Sequence, residues 1–244
     1  MKTHNKSLKI AILSTELSSY VMSLVTDLLM KFPKSEITLF LSKEQNDNVA
    51  AVVRNTKEMG PFWVIQKIVT RCLLRFKFLG LVRRVAILKI SSYDEIFQLK
   101  NIDVMIAYNT GIIKTNLFNF PKHGTICAHP AMLPLGRGIA GMDKAILNND
   151  PFGVTVFRID NGIDTGPIYV QKELDLEKFS SKKDLNNEIS QLSVELTSLA
   201  VSSIKLGVPP TSQTCVHPYV TLTVSERAQA KALLFSKFLN KGSI

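Results

Sequence analysis

Residues 124–138 read Gly-Thr-Ile-Cys-Ala-His-Pro-Ala-Met-Leu-Pro-Leu-Gly-Arg-Gly, a short strand-like run that passes through His129 into a loop interrupted by prolines. Residues 153–167 show the same order of strand and loop. The strand-like Gly-Val-Thr-Val-Phe-Arg-Ile is followed by the polar loop Asp-Asn-Gly-Ile-Asp-Thr-Gly-Pro. Ligands of open parallel sheets bind beyond the carboxyl ends of the strands. His129 and Asp164 are therefore expected on facing loops of one cleft. A packed structural histidine, and an aspartate that caps its own turn, explain the same residues.

The rest of the chain predicts an α/β fold. Short apolar runs at 9–14, 37–41 and 103–107 are typical of buried strands, and leucines and valines recur with helical spacing over 18–32. Strand, helix and strand joined by short loops indicate a largely parallel sheet in a three-layer arrangement. We expect one domain over residues 1–206. Residues 207–244, with a last helical pattern, are expected to form a C-terminal extension packed on it.

Positive charge is concentrated in the first part of the chain. Residues 1–100 hold 16 Lys and Arg against 8 Asp and Glu, whereas the remaining 144 residues hold 14 against 12. This imbalance predicts an anionic partner, such as a membrane surface, a nucleic acid or a phosphorylated substrate. A solubilising surface explains the same charge.

The densest basic segment covers residues 62–90, with seven Lys or Arg and no acidic residue among apolar ones. Lys67, Arg71 and Arg75 recur every four residues, which predicts a helix with a basic face. One interpretation is a basic helical insertion in peripheral contact with an anionic membrane, or bound to an anionic substrate. The other is a half-buried helix whose basic side chains reach into solvent.

Composition argues against several classes of protein. No window reaches the eighteen uninterrupted apolar residues typical of a spanning helix, and the polar, basic start does not resemble a secretory signal. Cys72, Cys127 and Cys215 lie far apart without a CxxC pair, so neither a disulfide framework nor a metal site is predicted. We expect a cytoplasmic protein, with no nucleic-acid partner because no recognition motif appears.

The two loop stretches together resemble a known family. His-Pro-x-x-Leu-Pro-x-x-Arg-Gly at 129–138 and Ile-Asp-Thr-Gly-Pro at 163–167 are similar to the paired signatures of the formyltransferase catalytic domain. That domain occurs in glycinamide ribonucleotide, methionyl-tRNA and amino-sugar N-formyltransferases. The similarity is clear from residue 103 to 171 and low over 44–100 and the tail. It implies a Rossmann-like fold and formyl transfer from 10-formyltetrahydrofolate to an amine, without a metal.

The resemblance also implies roles for individual residues. His129 would stabilise the oxyanion and handle protons, and Asp164 would orient the site and assist removal of the proton from the amine. Residues implied to bind the folate are Tyr108, Gly111, Ile112, Ile113, Ile159, Asp160, Gly162 and Ile163. Residues implied to shape the loop beside the acceptor are Pro134, Arg137 and Gly138.

Cys127 departs from the family pattern, which has Asn two residues before the histidine. An amide donates a hydrogen bond to the formyl oxygen, whereas a thiol is a poor donor. Three hypotheses follow. Cys127 is tolerated in a slower enzyme, it marks a relative that has lost or changed its chemistry, or it pairs with His129 as a nucleophile. As a structural residue, it would simply be a small buried hydrophobe.

The acceptor is inferred by elimination from the same resemblance. An amphipathic pattern predicts a long helix over residues 181–206. The methionyl-tRNA enzyme carries a basic barrel after its catalytic domain, and the roughly 40 residues that follow this helix are too few for one. The substrate of the glycinamide ribonucleotide enzyme does not explain the basic segment at 62–90. An amino sugar on a nucleotide or lipid carrier is therefore expected, and a homodimer is compatible with the sequence. A formyltetrahydrofolate hydrolase and a non-catalytic folate-binding relative remain alternatives.

Overall fold

The computed structural model describes residues 7–42, 84–99, 101–214, 219 and 221–239. The chain divides into two compact units, residues 5–125 and residues 126–244, which we call the N-terminal and C-terminal units. Each unit combines strands with helices.

The N-terminal unit contains four parallel strands in the spatial order β3-β2-β1-β4. The strands are β1 (Lys9–Ser14), β2 (Glu36–Ser42), β3 (Val85–Ile90) and β4 (Val104–Tyr108). The helices are α1 (Ser19–Lys31), α2 (Thr115–Phe118) and a 3-10 helix, Tyr93–Gln98. Strands β1 and β4 are buried almost throughout, which explains why they are continuous apolar runs rather than alternating ones.

Helix α1 forms where the sequence predicts it. The side chain of Ser18 caps the helix by accepting a hydrogen bond from the backbone N–H of Val21. Val21, Leu24 and Leu28 are fully buried along one face, as spacings of three and four residues require. The last helical residue is Lys31 and the C-cap is Phe32, which directly precedes Pro33, because proline cannot continue a helix.

The expected helix over residues 62–90 is wrong at its carboxyl end. Residues 85–90 form strand β3, which pairs in parallel with β2 from Val85 opposite Ile37 to Ile90 opposite Ser42. Because β-branched residues favour an extended backbone, this apolar run adopts a strand at the end of the sheet. Lys89 lies on this strand, and lysine is a common residue on sheet edges. Residues 62–83, including Arg71 and Arg75, lie outside the described residues.

The C-terminal unit contains three antiparallel strands in the order β5-β6-β7. They are β5 (Thr125–His129), β6 (Gly153–Arg158) and β7 (Ile168–Glu173). The helices are α3 (Gly141–Asn148), α4 (Lys182–Leu206), α5 (Val224–Leu239) and a 3-10 helix, Leu176–Lys178. Helix α4 packs on β6 and β7, and α5 packs against α3.

Local signals define the ends of helix α4. Ser181 caps its start by accepting a hydrogen bond from the backbone N–H of Asp184. Gly207 ends it in the left-handed conformation, with φ of 73°, which glycine adopts without a side-chain clash. The long amphipathic helix predicted at 181–206 is thus present.

The predicted α/β fold is confirmed, with seven strands among the described residues, more parallel than antiparallel strand pairings and helices at the carboxyl end. In α5, Ala230 and Leu234 are buried, and Nζ of Lys237 lies 3.0 Å from Oε1 of Glu177. The division at residue 206 stays a prediction. Within the described ranges, no helix is long and apolar enough to cross a membrane.

Candidate functional site

His129 and Asp164 lie together in the C-terminal unit, with His129 Nε2 3.6 Å from Asp164 Oδ2. Both side chains are largely buried, at 13% and 20% exposed. Nε2 also lies 2.8 Å from the backbone oxygen of Gly136. Because a carbonyl oxygen only accepts hydrogen bonds, Nε2 carries the proton in this arrangement. The histidine therefore presents a donor beside a carboxylate.

The path that brings these residues together differs from the one expected. Strand β6 runs antiparallel to β5, with Ile126 opposite Arg158 and His129 opposite Thr155. The loop after β6 therefore starts beside Ile126, near the beginning of β5, whereas His129 lies at the end of that strand, three residues later. It must fold back along β5 to place Asp164 beside the histidine, so parallel strand ends do not build this pair.

Asp164 is held by both its backbone and its side chain. Its φ of 52° lies in the left-handed region, which aspartate tolerates better than most residues. Its Oδ2 accepts a 2.7 Å hydrogen bond from the backbone N–H of Gly138. The carboxylate therefore joins its own loop to the loop that follows His129, rather than capping only its own turn.

The side chain of Thr155 stabilises the loop after His129 through hydrogen bonds to its backbone. Its hydroxyl, on a fully buried side chain, donates to the backbone oxygen of Ala131 at 2.7 Å and accepts from the N–H of Leu133 at 3.2 Å. Pro134 follows directly. A single hydroxyl thus forms hydrogen bonds with two backbone groups of the loop. Because these groups are buried, removal of the hydroxyl would lower the free energy of unfolding.

Gly138 occupies a position that suits glycine for two reasons. Its φ is 87°, a region that residues with a Cβ rarely adopt. The ring of Tyr219 lies where a Cβ on Gly138 would stand. The N–H that binds Asp164 thus depends on a backbone conformation and a close packing that glycine permits.

Arg137 is almost fully buried, at 3% exposed, and contacts the segment after α4. Its Nη2 donates a 2.7 Å hydrogen bond to Oε1 of Gln213. The Nε2 of Gln213 in turn donates to the backbone oxygens of Asp164 at 3.1 Å and Gly166 at 2.7 Å. Gln213 was missed by the sequence analysis, since an isolated glutamine in a loop carries no signal.

Cys127 is partly buried on the same strand as His129, two residues earlier. Side chains two positions apart on a strand share a face. Burial raises the pKa of the Cys127 thiol from its ordinary value of 9.0 to about 12, and the charge of Asp164 adds to the rise. The thiol therefore stays protonated near neutral pH, which argues against a role as a thiolate nucleophile.

The loop from Ile159 to Ile163 is held by hydrogen bonds to the side chain of Asp160. The carboxylate of Asp160 accepts hydrogen bonds from the N–H of Gly162 at 3.0 Å and from the hydroxyl of Thr165 at 2.5 Å. Ile163 is 46% exposed. An exposed apolar side chain beside backbone polar groups is the kind of surface that an aromatic heterocycle can contact.

The loop after β4 belongs to the N-terminal unit. Tyr108 stacks on Tyr20 with ring centroids 4.2 Å apart, and burial raises the pKa of its hydroxyl. Gly111 has a φ of 68°. Ile112 is 90% exposed, whereas Ile113 is buried, so a ligand can reach the side chain of Ile112 but not that of Ile113.

The described residues contain no group of three or more His, Cys, Asp or Glu side chains that could hold a metal ion. The model of one protein family, described as formyl transferase, matches residues 9–201. The chain belongs to the formyl transferase family. Its strands, the His129–Asp164 pair and the loops around that pair all lie inside the matched range, and the resemblance drawn from the sequence is confirmed.

Other formyl transferases are similar to this chain in sequence or in fold. A methionyl-tRNA formyltransferase from Wolbachia pipientis subsp. Culex pipiens is 36% identical over 110 residues, 45% of this chain and 36% of that protein. A sugar N-formyltransferase from Shewanella sp FDAARGOS_354 has a TM-score of 0.60 at 15% identity, over 93% of this chain and 87% of that one.

A third similar formyl transferase was solved with ligands. The structure of PseJ from Anoxybacillus kamchatkensis is a complex with UDP-4,6-dideoxy-4-formamido-L-AltNAc and tetrahydrofolate. It has a TM-score of 0.56 at 21% identity, over 91% of this chain and 89% of that one. At such identities the similarity to solved structures shows the shared fold. The chain spans roughly a third to three fifths of the curated relatives it matches.

Proposed function

We propose that this formyl transferase moves a formyl group from 10-formyltetrahydrofolate to a primary amine. The observation that carries the proposal is the His129–Asp164 pair, 3.6 Å apart with the carboxylate held by the N–H of Gly138. Formyl transfer to an amine needs a donor for the developing oxyanion and a group that accepts a proton from the amine. These two side chains supply both.

In the proposed reaction, the amine nitrogen attacks the formyl carbon and the carbonyl oxygen gains negative charge. The Nε2–H of His129 then donates to this oxygen in place of the Gly136 carbonyl. Asp164 takes the proton that the amine loses, directly or through water. The bond between the formyl carbon and the folate nitrogen then breaks and the carbonyl forms again. The folate nitrogen receives the proton held by Asp164, directly or through water, and tetrahydrofolate leaves.

We propose that the turn at 159–163 in the C-terminal unit contacts the folate. This turn offers backbone groups and the half-exposed side chain of Ile163. Main-chain donors and acceptors beside an apolar side chain suit a pterin ring. The folate-binding roles that the family resemblance implies for residues 108–113 of the N-terminal unit stay predictions.

Cys127 is proposed to be a tolerated substitution that slows the reaction. A protonated thiol is a weak hydrogen-bond donor. Losing one oxyanion donor typically costs about 100-fold or more in kcat. The remaining donor, Nε2–H of His129, keeps the site competent in this proposal.

The proposed acceptor is an amino sugar on an anionic carrier. The support is the excess of 16 Lys and Arg over 8 Asp and Glu in residues 1–100, which favours an anionic substrate. PseJ, which shares the fold, holds a UDP-linked formamido sugar. Pro134, Arg137 and Gly138 would shape the acceptor side of the pocket. Arg137 would do so through the loop backbone, because its guanidinium is buried.

The test measures tetrahydrofolate release from 10-formyltetrahydrofolate by purified protein. The acceptors are a panel of nucleotide-linked amino sugars, methionyl-tRNA and glycinamide ribonucleotide. Acceptor-dependent release that disappears in His129→Ala and persists in His123→Gln, a histidine of the N-terminal unit, would support the transferase.

Other outcomes decide against parts of the proposal. Formate release without any acceptor would identify a hydrolase instead. Transfer to methionyl-tRNA alone would retain the reaction and reject the amino sugar. A silent wild type that becomes active in Cys127→Asn would identify a folate-binding relative that has lost catalysis.

A further inference from the structure

We infer that Gln213 is a positioning residue that aligns Asp164 with His129, through a carboxamide that joins the two loops of the site. The inference rests on the proposed function, because it assigns the segment after α4 a role in the same reaction. Gln213 lies 49 residues after Asp164 in the chain, and it acts on the loops around His129 rather than on the imidazole itself.

Three hydrogen bonds fix the Gln213 carboxamide. Its Oε1 accepts from Arg137 Nη2 at 2.7 Å. Its Nε2 donates to the backbone oxygens of Asp164 at 3.1 Å and Gly166 at 2.7 Å. A guanidinium only donates and a carbonyl oxygen only accepts, so the amide orientation is set by its partners. Glutamine is the side chain that offers an acceptor and two donors at this reach.

These bonds act on both partners of the Gly138–Asp164 hydrogen bond. On one side, Gln213 holds the backbone oxygen of Asp164, a residue in the left-handed conformation with φ of 52°. On the other side, it holds Arg137, which directly precedes Gly138. The N–H donor and the carboxylate acceptor are therefore placed by the same side chain, and the carboxylate faces His129 as a result.

The segment that carries Gln213 is itself anchored. Thr211 and Ile168 form a pair of backbone hydrogen bonds at 2.7 and 2.8 Å, which adds a short extended stretch beside the start of β7. The anchor is two residues from Gln213, so the glutamine approaches the loops from a supported backbone. Because both its side chain and its backbone segment are held, Gln213 can keep Asp164 in a fixed position relative to His129.

The experiment compares wild type with Gln213→Met and Gln213→Glu. Methionine has a similar length and removes all three hydrogen bonds. Glutamate keeps an acceptor for Arg137 but loses both donors to the loop carbonyls. Ser212→Ala changes an exposed neighbour on the same segment and is the matched control. Thermal unfolding of each variant shows whether it is folded.

We expect kcat to fall on the order of 10- to 100-fold in both Gln213 variants, as for a small misplacement of a catalytic group. The KM for 10-formyltetrahydrofolate and the activity of Ser212→Ala should stay near wild type. A glutamate carboxyl has an ordinary pKa of about 4.3, so it is ionised at neutral pH and donates to neither loop carbonyl. Gln213→Glu should therefore be no more active than Gln213→Met.

Unchanged kcat in Gln213→Met, or a loss that appears in KM alone, would overturn the inference. Full activity in Gln213→Glu would also overturn it, because the donors to the backbone oxygens of Asp164 and Gly166 would then not be needed. If wild type turns over no acceptor, the proposed function fails by itself. A crystal structure of Gln213→Met then decides the positioning role, since an unchanged Gly138–Asp164 hydrogen bond would reject it.

Discussion

The backbone N–H of Gly138 donates a 2.7 Å hydrogen bond to Oδ2 of Asp164, and that same oxygen lies 3.6 Å from His129 Nε2. One carboxylate oxygen thus faces a fixed backbone donor and the imidazole together. The N–H of Gly138 therefore gives the carboxylate a backbone partner that does not depend on His129.

The variant Asp164→Asn tests the chemistry apart from the geometry. The oxygen of the introduced amide can still accept from Gly138, but the amide carries no negative charge and is a very weak base. We expect kcat to fall by about 100- to 10,000-fold, with a near-native melting temperature. Steady-state kinetics measures the effect, and Glu195→Gln on the exposed face of α4 is the control for losing one carboxylate. A kcat close to wild type would remove Asp164 from the reaction.

The thiol of Cys127 should be inert toward alkylation at neutral pH. Burial and the nearby Asp164 charge raise its pKa to about 12, and the thiolate is the reactive form. Mass spectrometry of the peptide that contains Cys127 should show little iodoacetamide adduct at neutral pH in folded protein and rapid modification after unfolding. Fast labelling of the folded protein would contradict this expectation.

The same shift in the pKa of Cys127 sets the sign of a pH effect on stability. The folded thiol holds its proton to a higher pH than the unfolded one, so its contribution is present below pH 9 and is lost as pH rises toward 12. In denaturant unfolding, wild type should therefore lose stability relative to Cys127→Ala between these two values. A parallel pH dependence of the two proteins would count against the raised pKa.

Gly138→Ala should destabilise the loop that holds Asp164. The added Cβ meets a φ of 87° and the ring of Tyr219. Gly207→Ala is the matched control, because Gly207 has a similar φ of 73° and nothing near its Cβ. The control should lose about 1 kcal/mol from backbone strain, and Gly138→Ala about 1–3 kcal/mol more from crowding, measured by urea unfolding.

A double variant separates the two causes at Gly138. Adding Tyr219→Ala to Gly138→Ala should recover the part of the loss that comes from crowding. If the double variant is no more stable than the sum of the two single changes predicts, contact with Tyr219 is not the source.

Thr155→Val should lower the free energy of unfolding by about 1–3 kcal/mol, since two backbone groups of the buried loop lose their partner. Thr155→Ser keeps the hydroxyl and is the comparison that isolates it. Chemical denaturation measures both. A loss in Thr155→Ser with none in Thr155→Val would mean that the methyl packing, rather than the hydrogen bonds to Ala131 and Leu133, stabilises this loop.

Local patterns were sufficient to predict much of the fold. Helix α1 follows from its apolar spacing, Ser18 cap and Pro33 stop, and α4 from its long apolar face and Gly207. Such signals act within a few residues, so they are readable without the fold. The paired signatures around His129 and Asp164 placed the chain in its family for the same reason, because each is a short run of adjacent residues.

Strand β3 was missed because its signal is ambiguous. Residues 85–90 are a short apolar run behind a basic one, and such a run fits a buried strand and a helix equally well. Pairing with β2 decides the matter. The partner strand supplies the hydrogen bonds that an extended segment cannot make for itself.

The family, the order of most elements and the candidate residues His129, Asp164 and Cys127 could be read from residue identity and short spacing. The contacts that hold these residues could not. The left-handed backbone of Asp164, the ring of Tyr219 over Gly138 and the three bonds of Gln213 depend on where distant segments come together. A side-chain hydrogen bond reaches only about 3 Å, so its partner is chosen by the path of the whole chain.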